Sequence, residues 1–282
     1  MKLAIVTDST CDWSEEEYIS RNVTMIPLKI VVGEESFLDQ KEISSEEFYD
    51  RMIASEKVPS SSQPSPGYFT EFFTSLVEQG YDAIISIHLS PILSGTIQSA
   101  RIAAEGFDIP IVPFDSKNAT SGLGLVVQRA CELRDAGKSF DEIVSDLENF
   151  TGRTHLYLSP DNTENLVKGG RLTEEQAHGV TMLNIKLIFK LDDEGRLYSY
   201  DKVKGNKGVI KRFVEIVKSH AEKEGRVRIR FMHARNQNEV DNFIKALDES
   251  GVDYEAAAID ACGATVATHT GVGVIGFGIS PA

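Results

Sequence analysis

The chain has 282 residues, 41% of them hydrophobic, and a formal net charge of -14. This length suits two α/β domains with sizeable cores better than one small domain. The acidic excess repels phosphate backbones, which argues against general binding to nucleic acid or to an anionic membrane. Any anionic ligand must therefore be held by local hydrogen-bond donors.

Targeting and redox signals are weak in this sequence. Residues 3–6 form the one apolar run before Asp8, which is too short for a signal peptide, and no segment is long enough for stable membrane insertion. Cys11, Cys131 and Cys262 are odd in number and far apart, so they indicate neither a disulfide framework nor a CxxC metal site. We expect a cytoplasmic protein that uses no metal and no cofactor.

In chain order, the first half repeats a buried strand that ends in polar residues before a helix. Residues 2–7, 83–87 and 109–114 have the apolar composition of buried strands, and Asp8 and Asp115 follow two of them. Helices are predicted near residues 14–20, 46–55, 68–79, 96–104, 119–136 and 140–149. This alternation predicts a parallel sheet with polar groups at the carboxyl edge, where ligands bind in open α/β sheets.

Two connecting segments of the first half are less regular. Residues 23–32 have strand composition, and Pro27 within them indicates an edge or a bend. Residues 58–66 contain three prolines and no periodicity, which predicts a loop. Such a loop is usually a solvated connection. The functional alternative is that its stiffness presents the hydroxyls of Ser61 and Ser62 to a ligand.

The turn after the strand at 83–87 is the first candidate for an anion site. Ser94, Gly95 and Thr96 lie where a helix begins. Amide N–H groups at a helix start have no partner within the helix, so they can bind an anion. The simpler interpretation is that Ser94 or Thr96 is only the N-cap of that helix, because Ser and Thr are preferred caps.

The second half has a different pattern. We place a domain boundary near residues 150–153, which gives an N-terminal α/β domain over 1–152 and a C-terminal α+β domain over 153–282. Strands are predicted at 155–158, 227–231 and 254–259, a hairpin at 184–203, and helices at 160–168, 207–223 and 237–249. A Gly-rich apolar tail at 263–279 surrounds His269 and Thr270.

Several of these segments together resemble the DegV family, which includes the fatty-acid-binding FakB subunits of bacterial fatty acid kinase. The matching segments run in family order over nearly the whole chain. They are VTDS at 6–9, SSQP at 61–64, LSGTIQSA at 93–100, DS at 115–116, LVKGGRL at 166–172, LNIK at 183–186 and HTG at 269–271.

The resemblance implies an acyl chain in a tunnel between the two domains. It places the carboxylate against Ser61, Ser94 and His269, with Ser62, Gly95, Thr96 and Thr270 in the same segments. It also implies that the protein performs no chemistry and presents a long-chain fatty acid to a separate ATP-dependent kinase subunit. For Arg171 it implies a role at the ligand mouth or in partner docking, whereas composition alone indicates a solvated cationic turn with Lys168.

Three other classes of function compete with a fatty-acid carrier. The segment GVGVIG at 271–276 fits GxGxxG, but a dinucleotide site needs a preceding strand and a long following helix. A serine hydrolase could pair Ser94 with His269 and with Asp8 or Asp115, although no GxSxG motif supports it. A regulatory protein that binds a different small carboxylic acid is the third class.

Overall fold

The computed structural model describes residues 1–55, 57–177 and 184–282, whose backbone forms an α/β fold with three sheets. In the first half, a 3₁₀ turn at Ser9–Cys11 follows the first strand. The other elements are β1 (Leu3–Asp8), α1 (Glu15–Ser20), β2 (Val23–Ile26), β3 (Lys29–Val32), β4 (Glu35–Leu38), α2 (Ser45–Ala54), β5 (Ser60–Ser62), α3 (Pro66–Glu78), β6 (Ala83–His88), α4 (Thr96–Ala104), β7 (Ile111–Asp115), α5 (Thr120–Asp135) and α6 (Phe140–Thr151).

The second half contains longer strands and two long helices. Its elements are β8 (His155–Ser159), α7 (Glu164–Lys168), α8 (Glu174–Ala177), β9 (Ile185–Leu191), β10 (Leu197–Lys204), α9 (Gly205–Glu224), β11 (Val227–His233), α10 (Gln237–Ser250), β12 (Tyr254–Ala261), α11 (Ala264–Thr270) and β13 (Ile275–Pro281). None of the helices in the described ranges combines the length and the apolar run that a membrane crossing requires.

The strands of the first half divide between two sheets. The order β2-β1-β6-β7 forms a four-stranded sheet in which every neighbouring pair is parallel, as predicted. Asp8, His88 and Asp115 end three adjacent strands of this sheet at the same edge. The order β4-β3-β5 forms a small antiparallel sheet.

The second half forms a six-stranded mixed sheet in the order β10-β9-β8-β13-β11-β12. Only β11 and β12 run parallel, while the other neighbouring pairs are antiparallel. The predicted hairpin is the pair β9 and β10, with a register shift between Ser199 and Asp201. The mixed sheet with its helices confirms the predicted α+β character of this half.

Serine caps explain where four helices of the first half begin. The side chains of Ser14, Ser44, Ser65 and Ser139 each accept a hydrogen bond from a backbone N–H in the first turn of the following helix. The carboxylate of Glu142 also accepts a hydrogen bond from the backbone N–H of Ser139, which completes a capping box. These caps are local signals for the first residue of each helix.

The predicted bend at Pro27 is confirmed, whereas the loop predicted at residues 58–66 is only partly a loop. Residues 23–32 form two strands, because the chain bends after β2 and β3 joins a different sheet; Pro27 and Leu28 lie in the bend. Residues 58–66 are not entirely a loop, because Ser60–Ser62 pairs with β3 in register Ile30 to Ser61. The cross-strand partner decides the second case, since the serine-rich segment has little strand propensity of its own.

The Gly-rich tail is also more regular than its composition indicates. It contains α11 and then β13, which lies between β8 and β11 near the middle of the six-stranded sheet. Gly276 and Gly278 fall within this strand. A Cβ at Gly278 would stand 2.6 Å from the backbone carbonyl carbon of Ser121 in α5. Glycine therefore permits the close approach of a helix and a central strand.

Helix α5 connects the two large sheets. It packs against β1 and β6 on one side and against β8, β11 and β13 on the other. Twelve of its 16 residues are buried. A Cβ at Gly122 would overlap the side chain of Asn118, and one at Gly124 would stand 2.7 Å from Nε1 of Trp13. The packing fixes the separation of the two sheets.

A buried arginine reinforces this junction. Arg230 in β11 is fully buried; its Nε and Nη2 donate to Asp260 at 2.9 and 2.8 Å, and its Nη1 and Nη2 donate to Glu17 at 2.9 and 2.8 Å. Its guanidinium also lies over the ring of Trp13. Glu17 belongs to α1 of the first half, so the ion pairs join the two halves of the fold. Burial raises the pKa of Asp260, and Arg230 opposes that rise.

We expect Arg230→Met to lower the free energy of unfolding by about 3–5 kcal/mol, because it leaves the buried carboxylate of Asp260 without a partner. The loss should be larger at pH 8 than at pH 5. A carboxyl whose pKa is raised in the folded state binds more protons there, so the fold gains stability as pH falls. Denaturant titrations at both pH values measure this.

The double variant Arg230→Met/Asp260→Leu is the control, because it removes both charges and should recover most of the loss. A loss below about 1 kcal/mol in the single variant, the usual worth of a surface ion pair, would contradict the central role of Arg230.

Candidate binding site

A narrow cavity with a mainly apolar lining (the apolar cavity) lies beside the start of α5. Its volume is about 80 Å³, against about 630 Å³ when all the space between its walls and at its open mouth is counted. The large difference means that the space is narrow in cross-section. Both halves of the chain line it, through Thr10, Leu28, Ser61, Leu89, Leu93, Ser94, Ala119, Thr120, Leu156, Leu158, Leu166, Arg171, Leu191, Leu197, Thr265, Val266, His269 and Thr270.

The lining differs from one end of the apolar cavity to the other. Ser61, Ser94, Arg171 and His269 form a polar group, and all four are only partly buried. The leucines of β8, β9 and β10 in the lining are at most 5% exposed. No carboxylate belongs to this set of described residues. The arrangement matches an amphipathic ligand whose polar end faces out and whose apolar end is buried.

Ser61 and His269 meet although they are far apart in sequence. The Oγ of Ser61 lies 2.9 Å from Nε2 of His269. Ser61 is partly buried, while its neighbours Ser60 and Ser62 in β5 are exposed, because successive side chains in a strand point to opposite faces. Ser62 does not line the apolar cavity. The structure therefore brings one of the two predicted serines of this segment to the site.

The imidazole of His269 is neutral at physiological pH. Burial, with a smaller contribution from the charge of Arg171, lowers its pKa to about 3. The Nδ1 atom is buried without a hydrogen-bond partner and faces Gly169, where a Cβ would stand only 2.4 Å from it. An unpaired buried N–H costs more than an unused lone pair. We therefore assign the proton to Nε2, which donates to Ser61 and leaves the serine O–H free to donate to a ligand.

Ser94 and Thr96 do not cap helix α4. Gly95 is the N-cap residue, and no side chain accepts a capping hydrogen bond there. The hydroxyls of Ser94 and Thr96 instead lie 2.9 Å apart, and Ser94 lines the apolar cavity. A Cβ at Gly95 would overlap the side chain of Gln63, which packs across this turn and donates to Ser99. The helix-cap interpretation of Ser94 and Thr96 is thus wrong.

Arg171 is not a solvated residue of a cationic turn. Its Nε donates to the carbonyl of Leu93 at 3.0 Å, and its Nη1 donates to the carbonyl of Gly169 at 2.6 Å. Burial lowers its pKa. No ion pair joins it to a carboxylate of the described chain. Lys168, by contrast, is exposed and pairs with Glu164. Arg171 thus places an uncompensated positive charge beside Ser94.

A buried aspartate anchors the helix that carries His269. Asp39 accepts hydrogen bonds from the backbone N–H groups of Ala264 and Thr265 at 3.0 and 3.1 Å, and from the hydroxyls of Thr265 and Ser9. A carboxylate at a helix N-terminus satisfies free N–H groups and complements the helix dipole. At the other end of α11, the hydroxyl of Thr270 donates to the helix backbone. Asp39 was not predicted as a site residue, because a lone Asp after a strand carries no distinctive signal.

The predicted hydrolase constellation does not form. Asp8 accepts a hydrogen bond from Nδ1 of His88 at 2.9 Å, and Asp115 accepts from the backbone of Lys117. Neither carboxylate lies at His269. A Ser-His-Asp arrangement does exist, because Ser86 lies 2.7 Å from Nε2 of His88. However, Ser86, His88 and Asp8 are fully buried, and none of them lines the apolar cavity. This network is structural, since no substrate can reach it.

The GxGxxG segment likewise has the wrong context. It follows the short helix α11 and leads into strand β13, whereas a dinucleotide site requires a strand before and a helix after the glycines.

The fold and this site define a family of proteins. A family model described as uncharacterised protein, DegV family, matches residues 2–282, and the chain belongs to the DegV family. A DegV domain-containing protein from Clostridium perfringens is 32% identical over 271 residues, which are 96% of this chain and 95% of that protein.

Solved structures agree with the family assignment. A DegV family protein from Thermus thermophilus, described as fatty acid binding, is 30% identical, with a TM-score of 0.94 and full coverage of both chains. The fatty acid kinase B3 protein of Streptococcus pneumoniae, loaded with linoleic acid, shares the fold at 24% identity, with a TM-score of 0.86 and full coverage of both chains.

We expect His269 to remain neutral down to about pH 4 and to carry its proton on Nε2, because its pKa is lowered to about 3. Two-dimensional NMR of the ring nitrogens measures both properties. The pKa of His269 is lower in the folded state than in the unfolded state. The unfolded state therefore binds more protons below about pH 6.5, so the fold should lose stability as the pH falls from about 6.5 towards 3.

The variant Arg171→Met removes the positive charge beside the ring and should raise the pKa of His269, which separates the charge effect from that of burial. Titration of His269 near pH 6.5, or a proton on Nδ1, would contradict the assignment.

Proposed function

We propose that this protein binds a long-chain fatty acid in the cytoplasm and presents its carboxylate to a separate ATP-dependent kinase. The observation that carries the proposal is the narrow apolar cavity with Ser61, Ser94, His269 and Arg171 gathered at its half-buried end. Membership in the DegV family and the 30% identical Thermus thermophilus protein described as fatty acid binding support it.

The polar end has the chemistry that a carboxylate needs. A carboxylate removed from water requires several hydrogen bonds, and those from charged donors are the strongest. The hydroxyls of Ser61 and Ser94 and the guanidinium of Arg171 supply such donors, while His269 orients Ser61 through its Nε2. Arg171 is the only charged residue in the lining among the described residues. The acid thus meets one compensating charge at the mouth.

The apolar end supplies most of the affinity. Each buried CH₂ contributes about 0.8 kcal/mol, so ten would contribute roughly 8 kcal/mol before the costs of ordering the chain. The buried leucines of β8, β9 and β10 provide this environment. A small carboxylic acid would leave much of this lining without a partner. The geometry therefore favours a long acyl chain over the regulatory alternative with a small acid.

We expect protein purified from a bacterial host to carry a long-chain fatty acid, identified by mass spectrometry after denaturing extraction. Ser61→Ala and Ser94→Ala should each raise the Kd for added acid, because each removes a hydroxyl from the polar end. A hydrogen bond to a charged group is worth about 1.5–3 kcal/mol, which is roughly 10- to 150-fold in Kd.

Matched controls are Ser61→Thr, which keeps the hydroxyl, and Ser62→Ala, which alters an exposed neighbour outside the cavity. Thermal melts show whether each variant folds. No copurified acid together with no binding of added acid would refute the proposal, and parental Kd values for both Ser→Ala variants would refute the head-group assignment.

The carrier role rests on the absence of machinery for ATP in the sequence and on the family resemblance. The chain contains no GxxxxGK[ST] loop and no protein-kinase motif set. The carboxylate end of the cavity is the half-buried end, so a bound head group would lie near the surface. Lys168, exposed next to the turn that holds Arg171, is the proposed docking charge.

We expect acyl-phosphate, trapped with hydroxylamine, to form from acid-loaded protein, ATP and magnesium only when a fatty acid kinase subunit is added. Lys168→Ala should slow product formation without changing the Kd for the acid, because Lys168 is exposed and does not line the cavity. Product without the added kinase would overturn the carrier role. Ester hydrolysis that Ser94→Ala abolishes would favour a hydrolase instead.

A further inference from the structure

A second, polar cavity of about 260 Å³ adjoins the apolar cavity beside its buried leucines. Its lining includes Lys117, His155, Asp192 and Asp193. The hydroxyl oxygen of Thr151, another lining residue, is buried and has no hydrogen-bond partner in the described chain. These groups make the space suitable for water and unfavourable for a terminal methyl group.

Leu191 is the one residue that the linings of the two cavities share among the described residues. It is the last residue of β9 and only 4% exposed. Leu191 therefore lies between the apolar cavity and the polar cavity. Leu197 lies opposite Leu191 in the register of the hairpin, but it lines the apolar cavity alone. Leu191 thus forms the wall between the two spaces.

The turn that follows holds Leu191 in place. The Oδ1 of Asp192 accepts hydrogen bonds from the backbone N–H groups of Glu194 and Arg196 at 3.0 and 2.8 Å. Gly195 adopts a φ of +80°, and a Cβ there would stand 2.4 Å from Oγ of Ser90. The turn is therefore closed by its own hydrogen bonds and packed against the loop after β6, so the wall cannot easily move aside.

We propose that Leu191 is the stop that sets the maximum acyl chain length of this protein, an inference that rests on the proposed fatty-acid site. A chain that reaches Leu191 can extend only into the polar cavity, where additional methylenes gain no apolar contact. Up to that point each buried CH₂ strengthens binding about fourfold. Affinity should therefore rise with chain length and then level off or fall.

The test measures Kd for a series of saturated fatty acids of increasing length with the delipidated full chain. We expect Leu191→Val, and more strongly Leu191→Ala, to move the tightest-binding length at least two carbons higher, because truncation opens the wall. Leu191→Phe should move it lower. Leu197→Ala is the matched control, since it enlarges the apolar cavity without opening it and should leave the cut-off within one carbon of the parent.

Thermal melts identify any variant that fails to fold. Because Leu191→Val and Leu191→Phe should shift the preferred chain length in opposite directions, the test does not depend on any single variant. The proposal is overturned if the length profile of Leu191→Val and Leu191→Phe is that of the parent, or if Leu191→Ala and Leu197→Ala shift it equally. It is also overturned if Leu191→Ala weakens all lengths by the same factor, because that result indicates lost packing without a length stop. Failure of the parent to bind any acid would instead refute the proposed function.

Discussion

The contact between α5 and β13 is the constraint on which the arrangement of the two sheets depends. It brings a helix backbone against a central strand, and Gly278 permits this because any Cβ there would overlap Ser121. Both large sheets then share one buried helix. The apolar cavity opens beside the start of α5, where Ala119 and Thr120 belong to its lining. The cavity therefore lies beside the helix that both large sheets share.

The polar end of the cavity depends on a different kind of constraint. It combines side chains from β5, from the turn before α4, from the turn after α7 and from α11. Asp39 holds the first turn of α11, and Ser61 meets the ring of His269 in its last turn. Arg171 bonds the carbonyl of Leu93 and so links its turn to that of Ser94. In a chain with a net charge of -14, this cross-linking gathers hydroxyl donors and one guanidinium charge in a single place.

The parts of the fold whose signals are local were predictable from the sequence. The buried strands β1 and β6, the serine-capped helices and the hairpin β9–β10 follow from periodicity, caps and turn residues. Strand β5 and the tail elements were missed because a partner decides their structure: β3 pairs with Ser60–Ser62, and two strands enclose the glycines of β13. Local propensity cannot show such partners.

The candidate site was predictable to a similar extent. Hydroxyls near Ser94 and the imidazole of His269 have recognisable chemistry, and the family resemblance places them together. Ser62 was assigned with Ser61 because the sequence does not show which residue of a short strand faces inward. Asp39 and Leu191 have no local signal at all. The role of Asp39 depends on a helix that begins 225 residues later, and that of Leu191 on a cavity behind it.

On the proposed function, the apolar end and the polar end of the site contribute differently to ligand binding. Burial of methylenes is non-directional, so the leucine-lined end contributes affinity without fixing how the head group is turned. Hydrogen bonds from Ser61, Ser94 and Arg171 are directional, and each contributes less than several methylenes. The polar end therefore mainly orients the carboxylate at the half-buried mouth. Because the buried chain supplies most of the binding free energy, a partner enzyme could contact or modify the carboxylate while the ligand stays bound.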